Sequence, residues 1–305
     1  MEELERRLVS WAAPRRDIRM MLVVGSRARL DDPADEWSDL DVGFTTTSPA
    51  PYLATTEWLD EIGEVWVAYA DPQGVTRHVL FAGGLDAGIA PLPHRALRAL
   101  THMLKLRARL PIMFRLLPRP VREAIDRQVD EIAAYSRRGF RLLLDKDGLG
   151  ASALALAQGS VPASVPSAEQ FRAAVNEFWF LTVWNAKHLR RGELWAAKTV
   201  ACDGRMKTLL LRMIEWHACA TRGGDYDTWE DGRRLEEWAD PRILDDLRAT
   251  FAHYDNEDVW RASLATMSIF RTIATETAQR LDLPYPTSAD ARISDWVMHC
   301  EADRL

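Results

Sequence analysis

The sequence predicts an α+β protein, with a mixed β-sheet and flanking helices in its first half and an all-helical domain in its second. Short apolar, β-type runs bounded by turn residues occur only between residues 19 and 144. From Phe171 onward, apolar residues recur at the i, i+3, i+4 spacing of a helix face. The uncharged, proline-containing stretch 148–168 separates the two patterns. We therefore divide the chain into a sheet domain (1–150), a linker (151–166) and a helical domain (167–305).

The predicted elements of the first domain alternate between helices and short strands. Proline, glycine and aspartate clusters mark most of the boundaries, and Asp71-Pro72-Gln73-Gly74 is a hairpin signal. In chain order, we expect helix 3–13, strands 19–24 and 40–45, helix 52–62, strands 65–69, 76–81 and 85–90, helices 94–109 and 121–136, and strand 141–144.

The first predicted strand stops abruptly at Gly25-Ser26-Arg27. Glycine lets the backbone approach an anion closely, while the serine hydroxyl and nearby N–H groups can donate to a phosphate. Gly25 and Ser26 are therefore candidate phosphate-binding residues. Arg27 is either a charge partner for the phosphates or half of a structural salt bridge.

Asp39 and Asp41 flank Leu40 at the start of the second predicted strand. Side chains at i and i+2 of a strand share a face, so the two carboxylates lie together while Leu40 points to the core. Paired carboxylates repel each other unless a cation lies between them. Oxygen ligands of this kind suit Mg²⁺, which binds one or two carboxylates together with substrate phosphates. The alternative is an acidic surface loop after a core strand.

Gly25-Ser26 followed by Ser38-Asp39-Leu40-Asp41-Val42 resembles the signature of nucleotidyltransferases of the DNA polymerase β type. Arg27 and the surroundings of the Asp pair resemble more narrowly the aminoglycoside 6-adenylyltransferases. Segments of the second half are similar to the same family: Asn176-Glu177-Phe178-Trp179, Ala186-Lys187-His188-Leu189 and Leu209 to Trp216. The resemblance spans roughly residues 19–265 and implies a nucleotidyltransferase-fold domain followed by a substrate-binding helical domain.

The resemblance also implies a third carboxylate, which we assign to Asp86 in Leu85-Asp86-Ala87-Gly88-Ile89-Ala90-Pro91. Asp86 interrupts an apolar strand, and an unpaired buried carboxylate is costly, so a metal would explain it. Asp86 is then the third metal ligand and a candidate general base, with a second-domain carboxylate as the alternative base. A plain strand-edge aspartate is the other interpretation.

Two residues of the helical domain receive roles from the resemblance alone. It implies that Lys187 contacts the triphosphate and that Glu177 contacts the substrate. On a straight helix the two are about 80° apart, so one cleft can hold both. A solvated helix face is the alternative for both residues.

The amino-acid composition limits the kinds of partner that this protein is expected to bind. The chain of 305 residues has a net charge of −6, a pI near 5.7 and no dense Lys/Arg patch, which argues against a nucleic-acid substrate. Nine acidic residues lie between 225 and 246 against three arginines, and they either steer a cationic substrate or form a solvated face. Three cysteines without paired spacing, no signal segment and no apolar span predict a cytoplasmic protein without a membrane partner.

Together these features predict an enzyme that transfers AMP from ATP to a hydroxyl of a cationic aminoglycoside, streptomycin-like, with two Mg²⁺ ions and release of pyrophosphate. The acceptor is implied by the resemblance alone. Alternatives are a nucleotidyltransferase for another small-molecule or protein hydroxyl, and a non-catalytic nucleotide-binding protein of the same fold. Nucleotide preference, regiochemistry and oligomeric state are left open.

Overall fold

The computed structural model describes residues 1–29, 34–125, 139–152, 165–224 and 226–302. Its α+β organisation confirms the predicted fold class, with a mixed sheet in the first half and helices as the regular elements of the described part of the second half. The chain divides into two compact units, Met1–Pro162 and Ala163–Leu305. Most of the predicted linker (153–164) lies outside the described residues, as does the end of the predicted helix 121–136.

The first unit contains six strands and several helices in its described part. The strands are β1 (Ile18–Val24), β2 (Leu40–Thr46), β3 (Val65–Ala70), β4 (Arg77–Phe81), β5 (Leu85–Pro93) and β6 (Arg141–Asp145). The helices are α1 (Glu2–Ala12), α2 (Ala50–Ala54), α3 (His94–Arg109) and α4 (Pro111–Arg115), with 3-10 turns at Gly25–Ala28 and Glu57–Glu61 and helical residues at 119–125 and 149–152.

The strand order β3-β4-β5-β2-β1-β6 makes a mixed sheet, because β2 and β5 run parallel and all other neighbours run antiparallel. One face of this sheet is covered by an apolar cluster that includes Leu4 and Leu8 of α1. Alternate residues of β2 (Leu40, Val42 and Phe44) are buried in it. The residues between them face the other side of the sheet.

The predicted single helix 52–62 is wrong. The structure has α2 and a 3-10 turn there instead, separated at Thr55, which is extended (φ −136°, ψ 170°). The break lets the rings of Tyr52 and Trp58 meet edge to face, 5.5 Å apart, beside Trp11 and Phe44. Packing in this aromatic cluster overrides the local helical pattern.

The second unit is a helical bundle in its described part. Its elements are α5 (Ala168–Arg190), a π-helix (Ala196–Arg205), α6 (Met206–Arg222), α7 (Leu235–Trp238), α8 (Pro241–Leu247), α9 (Asn256–Leu281) and α10 (Thr287–Ala302), with 3-10 turns at Glu230–Gly232 and Arg248–Thr250. α5 begins directly after Ser167, the first residue of the predicted helical domain, and Ser167 forms a capping box with Gln170. Gly204 permits the π-helix, because a Cβ there would lie 2.5 Å from the Thr199 carbonyl oxygen.

His94 connects the end of the central strands to the turn after β6. Its Nδ1 lies 3.2 Å from the Thr45 hydroxyl, and its Nε2 lies 3.3 Å from Asp147, which also pairs with Arg19. Burial lowers the pKa of His94. The folded protein then resists protonation that the unfolded chain accepts, so stability falls as pH drops below about 6.5.

We therefore expect the unfolding free energy of the native protein to decrease between pH 7 and pH 5 more steeply than that of His94→Gln. Urea unfolding at a series of pH values measures both slopes. Equal slopes would show that another group causes the acid sensitivity.

Candidate active site

The end of β1 forms the first part of the site. Gly25 adopts φ +71°, a left-handed conformation that favours glycine, and opens the 3-10 turn Gly25–Ala28. The preceding residue, Val24, pairs with Asp41 on the neighbouring strand. The turn therefore lies beside the predicted carboxylate pair.

The register of the parallel strands brings the three predicted carboxylates to one end of one sheet face. Leu40 pairs with Ala87, and Asp41 pairs with Gly88. Asp39 lies one residue before β2, and Asp86 directly precedes Ala87 on β5, so continuing the register by one residue sets Asp39 opposite Asp86, at the spacing of about 4.8 Å between adjacent strands. Alternation then directs Asp39, Asp41 and Asp86 away from the core that holds Leu40 and Ala87.

The predicted burial of Asp86 is wrong. Asp86 is exposed, because β5 has only just begun at Leu85 after the Gly83-Gly84 turn. An exposed carboxylate has little desolvation penalty, so burial gives no reason to expect a metal at Asp86. The register in which Leu40 pairs with Ala87 still supports a ligand or general-base role for Asp86, which remains a prediction.

The Asp41 carboxylate is wedged between two glycines. A Cβ at Gly25 would lie 2.6 Å from Asp41 Oδ2, and a Cβ at Gly88 would lie 2.8 Å from Asp41 Oδ1. Any side chain at either position would displace the carboxylate. Gly88 was not among the predicted site residues, although a glycine inside a strand is itself a sign of close approach by another group.

Ser26 carries a buried hydroxyl for which the described part of the chain provides no hydrogen-bond partner. Buried polar atoms are nearly always satisfied, and an exception calls for an explanation such as a missing ligand. A phosphate oxygen at the Gly25-Ser26 turn would satisfy this hydroxyl. The observation supports the predicted phosphate role of Ser26.

Arg27 lies along the loop that leads into β2. Its Nε donates to the carbonyl oxygens of Ser38 and Asp39 at 3.0 and 3.1 Å, and its Nη2 donates to those of Asp35 and Ser38 at 3.0 and 2.7 Å. The guanidinium thereby holds the backbone that presents Asp39. This contact is not the salt bridge that the sequence suggested as an alternative, and a phosphate role for Arg27 stays a prediction.

We expect Arg27→Lys to lower the unfolding free energy by about 1–3 kcal/mol and the rate of the predicted nucleotidyl transfer by roughly 10-fold, because one ammonium cannot span three carbonyls. Urea unfolding and initial rates measure the two effects. Arg95→Lys, an exposed change on α3, is the matched control. Equal behaviour of the two variants would contradict the assigned role.

Oxygen atoms alone make up the candidate metal site. Within the described ranges, no three His, Cys, Asp or Glu side chains converge closely enough to hold an ion by themselves. Mg²⁺ commonly binds one or two carboxylates and completes its shell with substrate phosphates and water. Asp39 and Asp41 beside a phosphate-type turn fit a metal that arrives with the nucleotide.

A family model described as streptomycin adenylyltransferase matches residues 1–79 and 122–300, which is most of the chain. The chain belongs to the streptomycin adenylyltransferase family. Membership makes it a nucleotidyltransferase whose co-substrate is ATP, as predicted.

Individual relatives are distant in sequence. The chain is 24% identical to an aminoglycoside 6-adenylyltransferase from Campylobacter jejuni over 95% of its own length and 92% of the relative's. It is 20% identical to the one from Bacillus subtilis (strain 168), covering 88% of this chain and 87% of the relative. A crystal structure of an aminoglycoside 6-adenyltransferase from Bacillus subtilis covers 98% of this chain and 97% of that one, with 16% identity and a TM-score of 0.44.

In the helical unit of this adenylyltransferase, the two predicted residues lie on α5. Glu177 is half-buried and accepts hydrogen bonds from Arg205 of the π-helix, with Nε at 3.1 Å. Lys187 is exposed, and its ammonium makes no hydrogen bond or ion pair within the part of the chain that the structure describes. Sequence patterns did not reveal the Arg205 contact, and the substrate roles of Glu177 and Lys187 stay predictions.

The described helices of the adenylyltransferase include none that is both long enough and apolar enough to cross a bilayer.

The acidic stretch at 225–246 is partly paired internally. Asp240 bonds Arg242, and Glu237 lies 3.8 Å from Arg234. Asp225 lies outside the described residues.

Proposed function

We propose that this adenylyltransferase transfers AMP from ATP to a hydroxyl of an aminoglycoside, with streptomycin as the favoured acceptor. The observation that carries the proposal is the strand register, which positions Asp41 next to the Gly25-Ser26 turn and Gly88, with Asp39 and Asp86 each one residue before the paired positions Leu40 and Ala87. Family membership and the names of the relatives support the aminoglycoside acceptor. Because ATP is abundant in the cytoplasm, we expect the reaction there.

In the proposed reaction, an acceptor hydroxyl oxygen attacks the α-phosphorus of ATP. A new P–O bond forms and makes the product a phosphodiester. The bond from the α-phosphorus to the oxygen that bridges the α- and β-phosphates breaks, and pyrophosphate leaves. The exposed carboxylate of Asp86 is open to the acceptor and would take its proton. Gly25 and Ser26 would bind the β- and γ-phosphates. A triphosphate contact by Lys187 is a separate proposal that rests on the family resemblance.

Asp39 and Asp41 would hold Mg²⁺, and Asp86 would complete the set. Two such ions would supply charge neutralisation at the attacking and leaving oxygens. The chain's own contribution is orientation, because the two glycines beside Asp41 and the Arg27 contacts keep both strand ends in place.

A cationic acceptor suits the charge of this chain. The net charge is −6, and streptomycin carries guanidinium groups that carboxylates bind well. Glu177 is the proposed acceptor contact. The acidic residues of 227–246 that are not engaged internally would raise the local concentration of a polycation.

The test is incubation of the protein with ATP, Mg²⁺ and streptomycin, followed by mass spectrometry for an AMP adduct. An Asp39→Asn/Asp41→Asn variant is the control, and other aminoglycosides are parallel acceptors. We expect an adduct on streptomycin that the variant does not form. Adducts on other aminoglycosides alone would overturn the streptomycin assignment, and Mg-ATP binding without any adduct would overturn the aminoglycoside acceptor.

A further inference from the structure

We propose that Gly88 is a positioning residue for adenylyl transfer, because it forms one wall of a slot that fixes the Asp41 carboxylate. Gly25 forms the other wall. The catalytic consequence rests on the proposed function above, whereas the slot itself is a property of the fold.

The slot follows from the strand order. β2 lies between β1 and β5, and Asp41 pairs with Val24 on one side and with Gly88 on the other. Its carboxylate spans the sheet surface, with Oδ2 toward Gly25 and Oδ1 toward Gly88. The space that a Cβ would occupy is taken by an Asp41 oxygen on both sides, at 2.6 and 2.8 Å. Real Cβ atoms essentially never approach that closely.

The two glycines are required for different reasons. Gly25 has φ +71°, so its backbone alone disfavours any other residue. Gly88 lies in a regular strand outside the left-handed region, and its backbone accepts any L-residue. Its other neighbour, Thr76 Cγ2, would be at an ordinary 3.7 Å from a Cβ. The Asp41 carboxylate is therefore the only described group that excludes a side chain at position 88.

A methyl group at position 88 must push the carboxylate out of its place or spread β2 from β5. Either change moves the oxygens that the proposed reaction needs by about 1 Å. Misplacements of this size commonly cost about 100-fold in rate. Gly88 would thus act on the proposed reaction through the Asp41 carboxylate alone.

The first measurement compares Gly88→Ala with Gly43→Ala. Gly43 lies two residues after Asp41 on β2, and its Cβ would be 4.0 Å from the nearest atom, Leu22 Cγ. We expect Gly88→Ala to lower kcat about 100-fold and to raise the Mg²⁺ concentration needed for half-maximal rate, with Gly43→Ala within about 3-fold of the native enzyme. An unchanged kcat and Mg²⁺ requirement in Gly88→Ala would overturn the proposal.

The second measurement is independent of activity. Gly88→Ala should lower the melting temperature by roughly 3–9 °C in the native background. The same change in an Asp41→Ala background should have little effect, because no carboxylate remains to collide with the methyl group. An equal decrease in both backgrounds would overturn the slot.

The two measurements separate the slot from the proposed function. If the native protein forms no adduct, the proposed function fails while the melting temperatures still decide the slot. If Gly88→Ala does not fold, recovery of soluble protein in Gly88→Ala/Asp41→Ala supports the slot. Failure of both variants to fold would count against it.

Discussion

Asp41→Asn is expected to lower kcat for adenylyl transfer by about 10³-fold or more with little change in stability. Asparagine has the same shape and fits between Gly25 and Gly88, but it lacks the charge that would hold a metal beside the phosphates. Metal-based charge stabilisation is worth several kcal/mol, and about 1.4 kcal/mol corresponds to tenfold in rate. Initial rates at saturating ATP and Mg²⁺, with thermal melting of each variant, measure both quantities.

We expect the loss of kcat to differ among the three carboxylate variants according to the role of each carboxylate. Asp39→Asn is expected to match Asp41→Asn, whereas Asp86→Asn should cost about 10²–10⁴-fold, the usual contribution of proton removal. Asp60→Asn, an exposed change in the Glu57–Glu61 turn, is the control and should leave kcat unchanged. Activity of Asp41→Asn within tenfold of the native enzyme would refute a metal-binding role for Asp41.

Arg271→Met is expected to lower the unfolding free energy of the protein by about 3–5 kcal/mol. Asp290 on α10 is 3% exposed, and Arg271 on α9 donates to both of its oxygens at 2.7–3.0 Å. Removing the guanidinium leaves a buried negative charge without its cation. Urea unfolding followed by circular dichroism measures the loss.

A second variant separates lost charge pairing from lost packing. The Tyr285 hydroxyl and Ser294 Oγ also donate to Asp290, at 2.8 and 3.0 Å. Burial raises the pKa of Tyr285, so its hydroxyl stays protonated as a donor. Asp290→Asn in the Arg271→Met background removes the charge and keeps one acceptor oxygen for these hydroxyls, so part of the stability should return. If Arg271→Met alone costs less than 1 kcal/mol, the pair is not a determinant of the helical unit.

Local patterns were sufficient for most of the fold. The strands were predicted from short apolar runs that end at glycine, proline or aspartate. Helix α3 begins and ends at the predicted residues. The segment 52–62 was the exception, because the helical pattern there competes with packing of Trp58 against Trp11 and Tyr52. Helix propensity predicts secondary structure poorly wherever large aromatic side chains can be buried.

For the candidate site, the sequence by itself supplied the predicted chemistry, from a Gly-Ser turn and an Asp-x-Asp pair at strand spacing, and a family resemblance that the family match confirms. It erred on Asp86, because burial depends on where a strand begins within the sheet and not on the apolar residues around it. Only the tertiary structure revealed the Arg27 contacts and the position of Gly88 against the Asp41 carboxylate. Pairing of β2 with β5 places Gly88 beside Asp41, and the loop before β2 folds back onto Arg27, so no local pattern contains either contact.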